Sequence, residues 1–150
     1  MASGMSDSLL LEQARLLCQN KGVRFTAVRE QVFSLLAEAN GSVGAYDLLT
    51  QLQKTDAKAK PPTVYRALDF LLEQGFVHKV ESQNAYVLCS HFAEHHKAQL
   101  LICDECGDVQ EINSTAISKA LINAAKQKHF QIVEPTIEAH GICEKCQKAN

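Results

Sequence analysis

Two Cys-x-x-Cys pairs stand in the last third of the chain, at Cys103/Cys106 and at Cys143/Cys146. Each pair can present two sulfurs to one metal, so four thiolates in two such pairs can close a tetrahedral zinc site. Gly107 directly follows the first pair and permits the tight turn that this requires. The spacing therefore predicts a structural zinc, and a secondary-structure unit must fold between the two pairs.

The same four cysteines could instead form two disulfides or a redox-active dithiol. The opening of the chain has no secretory signal pattern, so we expect a reducing, cytoplasmic compartment in which disulfides do not persist. A thioredoxin-like protein has one Cys-x-x-Cys beside a βαβ pattern, not two pairs far apart. Zinc binding is therefore the favoured interpretation.

The composition is that of an ordinary globular protein of 150 residues, with 46% hydrophobic and 21% charged residues. No apolar run approaches the length of a membrane span. The formal net charge of −2 argues against a strongly basic nucleic-acid-binding protein, although local basic patches decide more than the total. Residues 1–4 are left out of the fold prediction, because Met5 offers a second start.

The first half of the chain predicts a winged helix, which is a helix-turn-helix with a β-hairpin. Apolar residues recur at helical spacing in four segments: 8–20, 26–40, 45–53 and 62–74. Two further segments, 76–81 and 85–89, have strand character and are joined by a short turn, which predicts the hairpin. The fourth helix is predicted to bury Val64, Ala67, Leu68 and Leu71 and to leave Phe70 outside this stripe.

The second half predicts a small α+β unit behind a polar hinge. Residues 90–97 are polar and hold three histidines. Strands over 99–103 and 109–112, a helix over 114–128 and a last strand over 132–139 follow. The helix is predicted to turn four apolar residues into the core or into a dimer interface: Ile117, Leu121, Ile122 and Ala125. The sequence thus predicts an α+β protein with a winged-helix domain (5–89), a hinge (90–97) and a C-terminal domain (98–150).

The start of the fourth predicted helix is polar, aromatic and basic, which favours DNA reading. A recognition helix presents its first turns to the major groove. Arginine and lysine can neutralise phosphates, and arginine can also bridge guanine edges. The alternative is a plain solvated surface, and winged helices also serve as protein-interaction modules. The candidate DNA contacts are Thr63, Tyr65, Arg66, Lys60, Arg24 and Arg29.

Two stretches resemble the ferric uptake regulator superfamily, and most closely its zinc-sensing branch, the zinc uptake regulators. They are Ala45-Tyr-Asp-Leu-Leu49 and Ala59-Lys-Pro-Pro-Thr-Val-Tyr-Arg-Ala-Leu-Asp-Phe-Leu-Leu-Glu-Gln-Gly-Phe-Val-His-Lys-Val80. With both Cys pairs included, the likeness extends over nearly the whole chain.

The resemblance implies a homodimeric, metal-dependent transcription repressor with an N-terminal winged helix and a C-terminal dimerisation domain. The zinc-sensing branch implies zinc-loaded binding to palindromic, AT-rich operators of zinc-uptake genes. In such a protein Tyr65 and Arg66 match the DNA contacts of the recognition helix, and the four paired cysteines match the structural zinc site.

The resemblance also implies a second, regulatory zinc site at the hinge, and hence two zincs per subunit. By residue type and position it falls on His78, Cys89, His96 and Glu111. One metal bound by all four would tie the DNA-reading domain to the dimerisation domain. A thiolate in the donor set suits zinc, whereas iron and manganese sensors favour nitrogen and oxygen donors, so Cys89 favours zinc. The alternative is an iron, manganese or peroxide sensor of the same superfamily.

Nearby histidines leave part of this assignment open. His95 adjoins His96, so either could reach the metal, and His95 or His91 could form a third site. His140 precedes the second Cys pair and is predicted to donate a hydrogen bond to a thiolate. Without the resemblance, Cys89 would be interpreted as a buried strand cysteine.

Two other function classes are disfavoured by the same residues. A zinc hydrolase with Glu111 as its base needs an open coordination position, and four ligands leave none, so no enzyme is predicted. A zinc-stapled protein-interaction module does not account for the basic, aromatic start of the fourth helix. Operator DNA and a second copy of the chain are therefore the expected partners.

Overall fold

The first half of the chain folds into four helices and a β-hairpin, as the apolar spacing predicts. In the computed structural model, which describes residues 6–92 and 97–149, the helices are α1 (Asp7–Lys21), α2 (Ala27–Glu38), α3 (Ala45–Leu52) and α4 (Pro61–Glu73). None of the helices in these described residues is long and apolar enough to cross a lipid bilayer.

The hairpin is a short wing. Its strands β1 (Val77–Val80) and β2 (Ala85–Leu88) pair antiparallel. They are joined by a single 3-10 turn, Glu81–Gln83, which is called the wing turn below. Val43, just before α3, bridges to Tyr86 of β2 and ties the hairpin to the helices.

Local sequence signals set the helix ends. The Thr26 hydroxyl accepts a hydrogen bond from the backbone N–H of Arg29 and begins α2, while Gly22, at a φ of 71°, ends α1 in the left-handed conformation. α4 begins with Pro61 and Pro62, where the missing N–H groups would have no partner within the helix.

Aromatic rings fill the centre of the first half. Phe33 and Phe76 are fully buried and pack edge to face, with ring centroids 5.9 Å apart. The prediction that Phe70 lies outside the buried stripe of α4 is wrong, because its side chain is only 8% exposed. Phe25 stacks on it at 6.1 Å, and the Arg29 guanidinium lies 4.0 Å from its ring centroid.

The second half is a three-stranded sheet with helices, so the α+β prediction is confirmed. β3 (Gln99–Cys103) lies in the centre, antiparallel to β4 (Val109–Glu111) and parallel to β5 (Ile137–Gly141). α5 (Thr115–Gln127) lies in the connection between β4 and β5. A long connection is needed there, because the chain must cross over before β5 can run parallel to β3. A short final helix, α6 (Glu144–Ala149), has no counterpart in the sequence prediction.

The predicted last strand, over 132–139, starts too early. β5 begins only at Ile137. Pro135 lies inside the predicted strand and has no N–H to donate to a strand ladder, so the segment before Ile137 stays outside the sheet.

The apolar side chains of α5 are predicted to lie in the core or in a dimer interface, and the structure does not bury them in the core of the single chain. None of residues 115–127, all of which the structure describes, is buried. Ile117 is 38% exposed and Ile122 is 42% exposed. This exposure argues against the core of the single chain, and the dimer interface stays a prediction.

The wing packs against the C-terminal sheet. Val80 of β1 and Val87 of β2 are 0% and 8% exposed because they contact residues of the second half: Ala98, Leu100, Ile102 and Val109. This apolar cluster is distinct from the larger core of the helical half. It brings the open end of the hairpin, which carries His78 and Cys89, beside the end of β4.

Candidate metal centres and nucleic-acid interface

The four paired cysteines meet at one point. Cys103 Sγ lies 3.8 Å from Cys146 Sγ, Cys106 Sγ lies 3.7 Å from Cys143 Sγ, and all four sulfurs lie within 4.8 Å of one another. A tetrahedral zinc with Zn–S bonds of about 2.3 Å has S···S edges of about 3.8 Å. The sulfurs of a disulfide are only about 2.05 Å apart, so the geometry fits one zinc rather than two disulfides.

The parallel pairing of β3 with β5 places these sulfurs. Cys103 ends β3 and lies opposite Gly141 at the end of β5. Both Cys pairs therefore lie at the same end of these two parallel strands. After the first pair the chain turns at Gly107, whose φ is 79°. Cys143 follows β5, and α6 carries Cys146 back to the cluster.

Backbone amides favour charge on one of the four sulfurs. Hydrogen bonds from the backbone N–H groups of Cys106 and Cys143 lower the pKa of Cys103 to about 6, and the amide nitrogen of Cys143 lies 3.3 Å from its sulfur. The neighbouring sulfur of Cys143, followed by burial, raises the pKa of Cys146. Four adjacent thiolates repel one another, so a bound cation is needed to offset this repulsion. Zinc is the cation that suits four sulfur donors.

A second cluster joins the two halves of the chain. His78 of β1, Cys89 directly after β2 and Glu111 at the end of β4 each place one donor atom within 4.8 Å of the others. His78 Nε2 lies 2.9 Å from Glu111 Oε1, and Cys89 Sγ lies 3.5 Å from the same oxygen. The cluster is shielded from solvent, because the His78 and Glu111 side chains are 11% and 6% exposed and Cys89 is 0% exposed.

Ser90 orients the carboxylate of Glu111. Its backbone N–H and its hydroxyl both donate to Glu111 Oε2, at 3.0 and 3.1 Å. This leaves Oε1 directed at His78 and Cys89. Carboxylates that bind metals are commonly held by such outer hydrogen bonds. The sequence prediction places Ser90 only in the hinge; its position next to Cys89 was the available signal.

The electrostatics of the second cluster also favour a cation. Burial, and then the nearby charge of Glu111, raise the pKa of the Cys89 thiol. A thiol and a carboxylate in so buried a place are therefore unfavourable as two anions. A divalent metal removes this penalty, and a donor set of imidazole, thiolate and carboxylate fits zinc.

The fourth predicted ligand of this cluster, His96, lies outside the described residues, as does His95. The structure thus brings together the other three predicted ligands and leaves the choice between the two histidines untested. His91 lies beside the cluster: its Nδ1 is 2.9 Å from the Ser90 hydroxyl, and its backbone N–H donates to Cys89 Sγ at 3.4 Å.

His140 does not act as predicted on a thiolate in this structure. Its Nδ1 lies 2.9 Å from Asp104 Oδ1 and its Nε2 lies 3.0 Å from the Ser82 hydroxyl. The prediction located it near the second Cys pair but could not show that a residue of the wing turn reaches it.

The candidate DNA contacts divide into exposed residues and residues with partners in the fold. Tyr65 is 49% exposed, and Arg66, Lys60 and Arg24 are exposed as well. Thr63 accepts a hydrogen bond from the backbone N–H of Lys60, at 3.4 Å, and so contributes to the start of α4. Arg29 lies over the ring of Phe70 and donates to the backbone carbonyl of Arg24.

A comparison with protein families finds that the model of the ferric uptake regulator family matches residues 20–140. The chain belongs to the ferric uptake regulator family. It is therefore a transcription regulator and not an enzyme, as the sequence predicts. The zinc uptake regulation protein of Escherichia coli (strain K12) is 47% identical to it over 138 residues, which are 91% of this chain and 81% of that relative.

Solved structures show similarity to the same branch. A zinc uptake regulator complexed with zinc and DNA superposes with a TM-score of 0.92 at 44% identity, covering 97% of each chain. The structure of holo XcZur gives a TM-score of 0.86 at 40% identity, covering 95% of this chain and 99% of that one. Apo XcZur, at 39% identity and 94% and 97% coverage, gives only 0.55. The two halves of the chain are thus arranged as in the zinc- and DNA-bound relative.

Proposed function

We propose that this chain is a zinc-responsive repressor that binds palindromic operators of zinc-uptake genes as a zinc-loaded homodimer. The observation that carries the proposal is the cluster of His78, Cys89 and Glu111, because it joins the wing to the C-terminal half. The similarity to zinc uptake regulators, one of them bound to zinc and DNA, supports it. Since such a regulator acts on the genome, we place it in the cytoplasm.

Each subunit takes two zincs in this proposal. The structural zinc is held by the four paired cysteines, and the regulatory zinc by His78, Cys89, Glu111 and His96. The thiolate of Cys89 favours zinc over iron or manganese, because harder metals prefer nitrogen and oxygen donors. The donor distances in both clusters support the assignment.

The regulatory ligands come from separate elements, and this gives the switch. His78 and Cys89 belong to the wing, whereas Glu111 belongs to β4, so all three meet only when the two halves are closed on each other. Bound zinc supplies the positive charge that lets Cys89 and Glu111 remain ionised side by side. A ligand that binds the closed arrangement better than the open one shifts the population towards it.

The DNA-binding half, residues 5–89, reads its operator with α4 in this proposal. Tyr65 and Arg66 project from the first turns of α4 and are exposed. Lys60 and Arg24 add exposed positive charge nearby for the phosphates. Residues 90–97 act as the hinge.

The dimer forms through the C-terminal half, residues 98–150. Exposed large apolar side chains in this half are Leu101, Ile117, Ile122, Phe130, Val133 and Ile142. In the proposed dimer a second copy of the chain covers exposed apolar side chains of this half. β5 lies at one end of the strand order β4-β3-β5 and so has an edge that a second copy can cover.

A zinc titration of DNA binding tests the proposal. The DNA is a palindromic, AT-rich duplex selected from a randomised pool by the zinc-loaded protein, and fluorescence anisotropy follows binding. We expect binding only above one zinc per subunit, with two zincs per subunit at saturation. Cys89→Ser is expected to abolish zinc-dependent DNA binding and to leave a folded dimer with one zinc per subunit.

Cys143→Ser is the contrasting variant. It makes the same chemical change at the four-cysteine cluster. There the free energy of zinc binding contributes to the stability of the fold, so the variant is expected to unfold the C-terminal half. Retention of zinc-dependent DNA binding by Cys89→Ser would exclude the regulatory assignment. Activation of the wild-type protein by iron or manganese, but not by zinc, would favour the alternative metal sensor.

A further inference from the structure

The first Cys-x-x-Cys turn, residues 103–107, contacts the DNA-binding half as well as the second Cys pair; it is called the knuckle below. Gly41, in the loop between α2 and α3, is buried against it. A Cβ atom added at Gly41 would lie 2.3 Å from the carbonyl oxygen of Gly107. Gly41 also has a φ of 83°, which glycine adopts without steric cost. The loop and the knuckle thus pack backbone against backbone, with no room for a side chain at Gly41.

A polar bridge makes a second connection between the knuckle and the wing. Asp104 belongs to the knuckle and pairs with Nδ1 of His140, whose Nε2 reaches the hydroxyl of Ser82 in the wing turn. Glu138, two residues before His140 on β5, accepts hydrogen bonds from the backbone N–H groups of Glu81, at 2.6 Å, and Ser82, at 3.2 Å. Glu138 and His140, which both belong to β5, therefore hold the wing turn.

The Glu138 carboxylate is suited to this contact. Burial acts to raise its pKa, but hydrogen bonds from Ser82 and from the amide of Glu81 outweigh burial, so the pKa lies below its usual value. The carboxylate is therefore ionised near neutral pH. Hydrogen bonds to an ionised acceptor are stronger than those between neutral groups.

These contacts and the regulatory cluster lie at opposite ends of the hairpin. His78 and Cys89 are at its open end, and the wing turn is at the other end, about 10 Å away, since Glu81 follows His78 by three extended residues. Val80 and Val87 add apolar contacts with the sheet, and such contacts are non-directional. The regulatory cluster alone fixes one end of the hairpin. The contacts at the wing turn fix the other end, and the two together set the orientation of the hairpin relative to the sheet.

We infer that the knuckle has a second role, as a docking platform that positions the DNA-binding half through Gly41 and through the bridge from Ser82 to His140 and Asp104. Glu138 reinforces the bridge. The inference rests on the proposed function, in that the arrangement it positions is the one that binds operator DNA. The four-cysteine site then does more than hold the C-terminal half together: it also sets the orientation in which the regulatory cluster closes.

A pair of glycine variants tests the contact with Gly107. Gly41→Ala and Gly22→Ala impose the same left-handed strain, since φ is 83° and 71°. An added Cβ meets Gly107 only in the first variant, because it has nothing within 4 Å at Gly22. For the zinc-saturated dimers we expect small-angle scattering to show a larger radius of gyration for Gly41→Ala alone. Its operator affinity should fall about tenfold relative to Gly22→Ala, within the range of coupling between sites.

A pair of carboxylate variants tests the bridge without touching the glycine loop. Glu138→Gln replaces one accepting oxygen by a donor that faces the amides of the wing turn. Glu134→Gln is the control, because the Glu134 side chain is 73% exposed and lies at the 4.0 Å limit of an ion pair with Lys97. Hydrogen exchange at the amides of Glu81 and Ser82 should be about tenfold faster in Glu138→Gln than in the control. The two carboxylate variants should have the same zinc content and the same thermal stability.

The outcomes separate the platform from the proposed function. Equal scattering for the two glycine variants together with equal exchange for the two carboxylate variants would overturn the platform. If Gly41→Ala does not fold, the carboxylate pair alone decides. A wild-type protein that fails to bind DNA with zinc would reject the proposed function, whereas scattering and exchange need no DNA and still test the platform.

Discussion

Glu111 uses its two carboxylate oxygens for two different tasks. Oε1 faces His78 and Cys89, while Oε2 is occupied by the amide and hydroxyl of Ser90. Ser90 follows Cys89 in the chain, so the wing that carries two ligands also orients the third from the other half. A regulatory site built this way responds to the position of the wing as a whole.

Ser90→Ala is therefore expected to weaken regulatory zinc binding without removing a ligand. The variant removes the hydroxyl, which is one of the two Ser90 donors to Glu111 Oε2, and keeps the backbone N–H. Loss of such an outer partner typically lowers metal affinity about 10- to 100-fold. Competition with a zinc chelator measures the effect, and the structural zinc should be retained. Ser8→Ala, on an exposed part of α1, is the control. Equal zinc affinities for the two variants would show that Ser90 has no orienting role.

Among the elements, α4 has two faces with different tasks. One face packs into the aromatic core through Phe70, which is held by Phe25 and Arg29. The other face leaves Tyr65 and Arg66 exposed. Because α2 and α3 both contact α4, the exposed face is presented on a rigid support, as a recognition helix requires.

Two arginine variants should separate these tasks. Arg66→Ala is expected to weaken operator binding by about 1–3 kcal/mol if the guanidinium reads a base, with unchanged thermal stability. Arg29→Ala is expected to lower the free energy of unfolding by about 1 kcal/mol, because it removes the cation–π contact with Phe70. Anisotropy titrations and urea melts of both variants provide the measurement. An effect of Arg66→Ala on melting but not on DNA binding would remove Arg66 from the DNA contacts.

On the scale of the whole molecule, the two halves bury apolar surface differently. The helical half encloses its own aromatic core, whereas none of residues 115–127 in α5 is buried. A small sheet with an uncovered helix and several exposed apolar side chains is incomplete as an isolated unit. A second copy of the chain supplies the missing cover in the proposed dimer.

Ile122→Glu should dissociate that dimer. A carboxylate at this position would have to be buried without a partner in the interface, which costs several kcal/mol. Analytical ultracentrifugation of the zinc-loaded protein measures the dissociation constant. Leu16→Glu, at a side chain on α1 that is 58% exposed, makes the same kind of change in the other half and should leave the dimer intact. Dissociation by both variants, or by neither, would contradict a C-terminal dimer interface.

Most elements of the fold could be predicted because their signals are local. Helical spacing and caps such as Thr26 located α1 to α4, and alternation located the wing. One error also has a local cause, since Pro135 delays the start of β5. Phe70 is buried by a partner from another helix, Arg29, which periodicity within α4 cannot reveal. α6 is too short, at six residues, to show a helical period.

The sequence by itself determined which residues carry the chemistry: two Cys pairs with zinc spacing, a further cysteine in the wing and a basic, aromatic helix start. Only the tertiary structure decided which of them meet. Glu111 reaches His78, Glu138 reaches Ser82 and Gly107 reaches Gly41 across 33, 56 and 66 residues of chain. Such contacts follow from the path of the whole backbone and from packing between its halves, so no local pattern in the sequence encodes them.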